Sequence, residues 1–420
     1  MNGWLSAPLN NFPLPTEPCR PNNPPMFARL LQRWEVTTSS GSHFQVLDGL
    51  RGVAILLVVA RHTLYTNPEH GFLARLVGCI ISAGGLGVPV FFVLSGFLIS
   101  LPFFQKRETD PSFWYQRGYA RRRVGKILPP FYLSIVLFII FYWVQFRDPA
   151  YLDSAWKWAT GLGNFIRLEP IFNGSYWSLI VESHFYILLP LLFWLTRGFS
   201  GAKTGLVIFA VLFFIPLLVR HLTWPAGVFA LPDYASAINR DTFFRLARFP
   251  CQLDYFAWGI LFASLYVPLA RGGLDKMRAL GALGYAGAAL LLVCLVFMGY
   301  WSGKIDFFAT RSGVEISHFV PAVAVMLMLF FVFDPQSLGA QILSAGWLRF
   351  TGIISYEWFL FHGPIVQWFH QNTGPTHGSA LAYAWRTIVP LAATFIFSAL
   401  VYRYFSLPLL NRVRDSLKKT

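Results

Sequence analysis

Ten stretches of this chain are each about as long and as apolar as the hydrocarbon core of a bilayer demands. They lie near residues 50–66, 77–101, 128–146, 176–196, 204–222, 252–268, 279–300, 318–334, 351–369 and 385–405. About 20 mainly apolar residues suffice for one helical crossing. The expected fold class is therefore all-α, a polytopic membrane protein of about ten transmembrane helices. Composition agrees: 55% of the residues are hydrophobic and only 13% charged, against about 25% charged in soluble domains.

The remaining charge is concentrated between these segments. The net charge is +15. In a soluble chain that excess would point to nucleic acid; between membrane spans it sets orientation, because basic residues gather in cytoplasmic loops. Lys106, Arg107, Arg117, Arg121, Arg122, Arg123 and Lys126 separate the second and third segments, against Glu108 and Asp110. The next loop, 147–175, is balanced. Arg197 and Lys203 follow the fourth segment, Arg271, Lys276 and Arg278 the sixth, and Arg412, Arg414, Lys418 and Lys419 close the chain. This alternation places both termini in the cytoplasm. One loop disagrees: residues 223–250 should face outward yet carry Arg240, Arg245 and Arg248. Asp241 and Arg245 stand four apart, the spacing of an amphipathic helix lying in the interface.

Residues 1–43 are rich in Pro and Asn and too polar for a signal core, so they are expected to form a cytoplasmic tail. Residues 44–408 form the membrane domain and 409–420 a basic tail. Cys19, Cys79, Cys251 and Cys294 lack metal-ligand spacing, so neither a disulfide framework nor a metal site is expected.

The first segment, LDGLRGVAILLVVARH, carries Asp48, Arg51, Arg61 and His62. Charge is costly in hydrocarbon and marks function by default. Arg51 and His62 are eleven residues apart, about three full turns and roughly 16 Å, so they share one face. Arg51 falls near the cytoplasmic surface and His62 about halfway across. Asp48 precedes Arg51 by one turn and could cap the helix while pairing with it. The plainer alternative has Arg51 snorkelling to the interface and His62 as a neutral partner of another helix.

With its Arg-x10-His spacing, this segment resembles the first helix of the integral-membrane acyltransferases of family 3. Four further stretches resemble the same family, in the same order: GVPVFFVLSGFLIS (87–100), RRRVGKILPPFY (121–132), WSLIVESHFYILLPLL (177–192) and ISYEWFLFHGPIV (354–366). Lys126 stands where that family's loop usually has a second Arg, and so lacks the planar fork that suits phosphate. The resemblance implies an O-acyltransferase of the bacterial inner membrane. It would move an acyl group, most simply acetyl, from cytosolic acyl-CoA to a hydroxyl of a carbohydrate or glycan-like acceptor. The extra-membrane hydrolase-like domain of some such proteins is not expected here.

The residues fit that chemistry. His62 is the candidate general base or transient acyl carrier, since imidazole titrates near neutral pH and can also act as a nucleophile. Arg51 would bind the donor or polarise its carbonyl. The cationic stretch Arg121, Arg122, Arg123 and Lys126 would hold donor phosphates. Glu182, in the fourth segment, could orient His62 or bind acceptor hydroxyls. Ser95, Trp177, Ser178 and Tyr186 are supporting positions in the same motifs. His184 points about 200° away from Glu182 and is expected to be structural. His362 precedes Gly363-Pro364, where a helix break lining a cavity is expected. Glycines 84, 85, 87 and 96 punctuate the second segment, for close packing or for a broken helix. A proton-coupled carrier would use the same intramembrane Arg, His and Glu set, but no inverted repeat is evident. A non-catalytic assembly partner would tolerate loss of Arg51 and His62.

Overall fold

The computed structural model describes residues 44–63, 71–107, 110, 112–115, 118–164, 173–224, 246–270, 274–302, 310–373 and 380–418. Among these residues the regular elements are helices: α1 Gln45–Thr63, α2 Gly71–Ser82, α3 Gly87–Lys106, α4 Tyr119–Phe146, α5 Ala150–Ala159, α6 Tyr176–Leu195, α7 Gly201–Thr223, α8 Leu253–Leu269, α9 Leu274–Gly281, α10 Leu283–Ser302, α11 Arg311–Met328, α12 Leu338–Leu343, α13 Gly346–Ile353, α14 Ser355–Asn372, α15 Ala380–Val401 and α16 Leu407–Lys418. The N-terminal stretch 1–43 and the expected interfacial helix around Asp241 and Arg245 lie outside the described residues.

Seven described helical segments are by themselves long and apolar enough to cross a membrane. The three expected spans that fall short have physical reasons to do so. α1 carries Asp48, Arg51 and Arg61, α8 is only 17 residues long, and α14 contains Glu357, His362 and His370. These helices face protein more than surroundings: eleven of the seventeen α8 residues are buried, Asp254 among them. A helix sheathed by other helices can carry polar groups that a lipid-facing one cannot. The outer layer shows the reverse pattern. Only 28% of the α7 span is buried inside the protein, whereas 72% of the 84–106 span is.

The expected second segment, 77–101, is two helices. α2 ends at Ser82, and a short 3-10 turn, Gly84–Leu86, redirects the chain into α3. The reason is the packing of α1. A Cβ on Gly84 would collide with the Leu57 carbonyl, and one on Gly87 with that of Ala54. Small residues let backbones approach where apolar side chains gain little from leaving lipid. α3 then packs on α8 through Gly96 against the Phe256 carbonyl and Gly259 against that of Val93. Phe185 stacks on Phe256 at 4.0 Å and Phe103 on Phe193 at 4.5 Å, locking α6 to both.

The first half of α1 is held as tightly by α12 and α13. Gly49 and Gly52 face the Leu343 and Leu348 carbonyls, and Gly352 faces the carbonyl of Asp48. A Gly352→Val variant should therefore lower the thermal unfolding midpoint of the purified protein. Overpacking of this kind costs about 1–3 kcal/mol or more, and an unchanged midpoint would show that α13 can move aside.

α14 departs from expectation at His362-Gly363-Pro364, where no break occurs. Pro364 has no N–H to give the carbonyl of Leu360, four residues back. The Asn173 side chain supplies the missing donor, Nδ2 to Leu360 O at 2.9 Å, and the helix runs on to Asn372. The basic stretch after residue 408 is helical as well: α16 packs on the start of α4, with Val413 over Gly125 and Leu417 over Gly118. A π-helical turn, Tyr402–Ser406, joins it to α15.

A buried ionic cluster ties α7, α8 and α11 together. Arg220 donates from Nε to Glu315 Oε1 at 3.0 Å and from Nη2 to Glu315 Oε2 at 2.6 Å. Its Nη1 reaches Asp254 Oδ2 at 2.9 Å and the Cys251 carbonyl at 2.6 Å. His318 Nδ1 lies 3.1 Å from the same Asp254 oxygen, its ring stacked on Tyr255.

Candidate active site

A cavity of about 90 Å³ opens among α1, α3, α4, α6 and α14. Its polar wall brings together Arg51, Arg123, Lys126, Glu182, Ser95, Ser178, Tyr186, Ser355 and Tyr356; its apolar wall includes Val88, Phe91, Phe92 and Phe359. Arg51 is six residues into α1, whereas Arg123 and Lys126 lie in the first turns of α4 and Glu182 in the second turn of α6.

Glu182 is the hub of the polar wall. One of its oxygens accepts short hydrogen bonds from Ser95 Oγ on α3 and from Tyr186 OH one turn along α6. The Arg123 guanidinium lies over the Tyr186 and Tyr119 rings at 5.6 and 5.9 Å, a cation–π arrangement suited to a desolvated site. Lys126 stands within electrostatic range of Arg51, Arg123, Glu182 and Glu357. The Nε of both Arg51 and Arg123 is buried without a hydrogen-bond acceptor among the described residues. Donor capacity therefore remains at the cavity wall.

The expected site residues thus divide. Of the cationic set, Arg123 and Lys126 line the cavity, whereas Arg121 and Arg122 are exposed near the start of α4. Arg107 is committed elsewhere: it donates to the Thr196 and Arg197 carbonyls at 3.0 and 3.2 Å and to that of Phe199, capping the end of α6. Nearby Asp110 accepts from Ser112 Oγ and N at 2.7 and 2.8 Å, which holds its carboxyl below its usual range. Trp177 packs edge-on against Phe92 rather than entering the cavity. Asp48 sits in the first turn of α1, and the cavity wall as described does not include it. His184 donates to the Ile180 carbonyl and rests on Phe249.

His62 lies in the last turn of α1, Gln45–Thr63. Its partner is not Glu182 but His362, whose Nε2 lies 3.1 Å from His62 Nδ1. The hydrogen bonds assign the tautomers. His362 Nδ1 faces the Trp358 and Phe359 carbonyls, both at 3.0 Å, and must carry the proton. Its Nε2 is then an acceptor. His62 Nδ1 faces that lone pair and the Val58 carbonyl at 2.9 Å, so it too carries a proton. The lone pair of His62 is left on Nε2. An imidazole oriented through its second nitrogen is the arrangement of a positioned base or nucleophile. His362 is fully buried, whereas His62 keeps an exposed edge.

Several contributors lie in or near apolar stretches but were not singled out in the sequence. Ser355 and Tyr356 line the cavity, Tyr356 OH donating to the Ile127 carbonyl at 2.8 Å. Glu357 is buried beside Lys126 and Arg51 with Oε2 lacking a partner among the described residues; as a lone carboxylate in an apolar run it could have been singled out. Arg220, Asp254 and Glu315 bore the same signal. Among the described residues no His, Cys, Asp and Glu group has the makings of a metal site.

An all-helical membrane protein in which an Arg/Lys/Glu cavity lies beside a histidine pair is the class defined by this fold and site. The family model described as an acyltransferase domain, Acyl_transf_3, matches residues 44–403, and the chain belongs to that family of acyltransferases. It is 26% identical over 400 residues to the peptidoglycan O-acetyltransferase OatA of Listeria monocytogenes, covering 89% of this chain and 57% of that protein. It is 24% identical to the O-acetyltransferase OatA of Staphylococcus aureus, over 86% of this chain and 56% of the relative. A similar match joins it to the putative peptidoglycan O-acetyltransferase YrhL of Bacillus subtilis, 24% identical over 86% of this chain and 54% of that one. The chain thus spans a little over half the length of these relatives. No solved structure matches it.

Proposed function

We propose that this chain is a membrane O-acetyltransferase that takes an acetyl group from cytosolic acetyl-CoA and delivers it to a hydroxyl of a cell-wall-type glycan. The observation that carries this reading is the cavity joining Arg51, Arg123 and Lys126 to one carboxylate, Glu182. Three cations against one anion suit a phosphorylated donor. Exposed Arg121 and Arg122 would hold the nucleotide end while the thioester arm enters. The acceptor class comes from the relatives, two of whose names specify peptidoglycan. In this reading all ten apolar helices cross the inner membrane of a bacterium, with both termini cytoplasmic.

Arg51 and His62 are about 16 Å apart along α1, too far for both to touch one carbonyl. Arg51 therefore serves donor binding, and the thioester reaches past it to His62. There Nε2 takes the acceptor hydroxyl's proton as the C–O bond forms and the C–S bond breaks, and the proton passes to the departing CoA thiolate. Alternatively Nε2 accepts the acetyl group first and passes it on. Both routes release one free thiol per ester formed. The test is thiol release by the purified protein from acetyl-CoA, with and without soluble peptidoglycan fragments. Acceptor-dependent release, with ester on the glycan by mass spectrometry, is expected. Vesicle uptake without thiol release would instead mark a carrier.

A further inference from the structure

The cavity proposed for the donor and the histidine pair are built from different side chains. Among the described residues that wall the cavity, neither His62 nor His362 appears. What stands between them is an apolar layer. Phe91 of α3 and Phe359 of α14 meet edge to face, ring centroids 6.2 Å apart, and both line the cavity. Phe359 also lies on the other side of the boundary. Its ring centroid is 6.0 Å from the His362 imidazole, and its carbonyl accepts the His362 Nδ1 proton. On α1 the layer is continued by Ile55 and Val58, which belong with Val88, Phe91 and Phe359 to one apolar cluster. Val58 in turn holds the His62 ring through its carbonyl. A thioester entering beside Arg51 meets these rings before it meets His62.

We propose that Phe91 and Phe359 form the partition that sets the acyl length this enzyme accepts, restricting it to the shortest groups. The proposal rests on the acyl-CoA reading above and names the substrate class for that same site. A two-carbon acyl group presents one methyl to the rings. A longer chain must force them apart within a closely packed cluster, and such packing does not yield smoothly. One methylene in an apolar pocket is worth about 10- to 200-fold in discrimination. The rings are therefore a ruler for the donor, distinct from the groups that bind its charge or handle its proton.

The experiment uses the full chain in nanodiscs with acetyl-, butyryl- and hexanoyl-CoA and soluble peptidoglycan fragments as acceptor, read as thiol release. The wild type should favour acetyl over hexanoyl by about 100-fold or more. Phe91→Ala and Phe359→Ala should lower that ratio by about 10-fold or more, chiefly by raising the hexanoyl rate. Phe91→Trp should leave acetyl as the sole effective donor. Where an alanine variant fails to give a sharp thermal transition, Phe91→Leu and Phe359→Leu should shift the ratio in the same direction by less. Acetyl turnover with an unchanged ratio in every folded variant overturns the partition alone. If the wild type releases no thiol from any donor, the acyl-CoA reading fails and this proposal falls with it.

Discussion

His62→Ala should reduce acceptor-dependent thiol release by about 100- to 10,000-fold, the span associated with a positioned acid or base, while the protein still inserts and unfolds at its normal temperature. The side chain projects from the last turn of α1 with one edge exposed, and among the described residues its hydrogen bonds run through Nδ1. Removing it should leave the bundle intact and take away only Nε2. His362→Ala is expected to give a smaller loss, about 10- to 100-fold, as for removal of a group that orients another. It should also shift the pH profile of the remaining activity, because His62 would no longer be held in one tautomer. Full turnover by a folded His62→Ala protein would remove the central assignment. Equal losses for the two histidines, with no change in the pH profile of the His362 variant, would mean that His362 acts through structure alone.

Arg220→Ala should have the opposite signature, with large instability from a residue remote from the chemistry. Its guanidinium satisfies Glu315 with two parallel N–H bonds and Asp254 with a third, while Arg220 and Asp254 are only 3% and 4% exposed. The fork geometry is peculiar to arginine. Truncation removes the guanidinium that pairs both carboxylates, and breaking one side of a buried pair costs about 3–5 kcal/mol. Thermal unfolding in detergent should fall accordingly. The double replacement Asp254→Asn with Glu315→Gln in that background should recover part of the loss, because neutral amides no longer repel. Recovery in the Arg220→Lys variant should be incomplete, since an ammonium cannot serve both carboxylates in this geometry. A normal midpoint for Arg220→Ala would show that water reaches the cluster and screens it.

Much of this was legible in the sequence. Long apolar runs gave helices, and their order gave the family. Of the charges of α1, Arg51 lines the cavity with Arg123, Lys126 and Glu182. Partners were less legible. From the sequence, Glu182 could orient His62 or bind acceptor hydroxyls; its hydrogen bonds run to Ser95 and Tyr186, not to His62. The true companion, His362, stands 300 residues from His62 along the chain. Pro364 looked like a helix break because the sequence shows a lost donor but not the asparagine that replaces it. The reach of 77–101 looked continuous because hydropathy is blind to a turn imposed by a neighbouring backbone.

The amino-acid sequence by itself determined which segments are helical and apolar, which of them carry charge, and to which family the order of motifs belongs. These are properties of composition and of a 3.6-residue period, and they need no knowledge of neighbours. Only the tertiary structure decided that Arg51, Arg123, Lys126 and Glu182 line one cavity while His62 pairs with His362, with the Phe359 ring near both sets. Such a division depends on distances between side chains of different helices, set by glycines that let backbones touch and by rings that fill what remains.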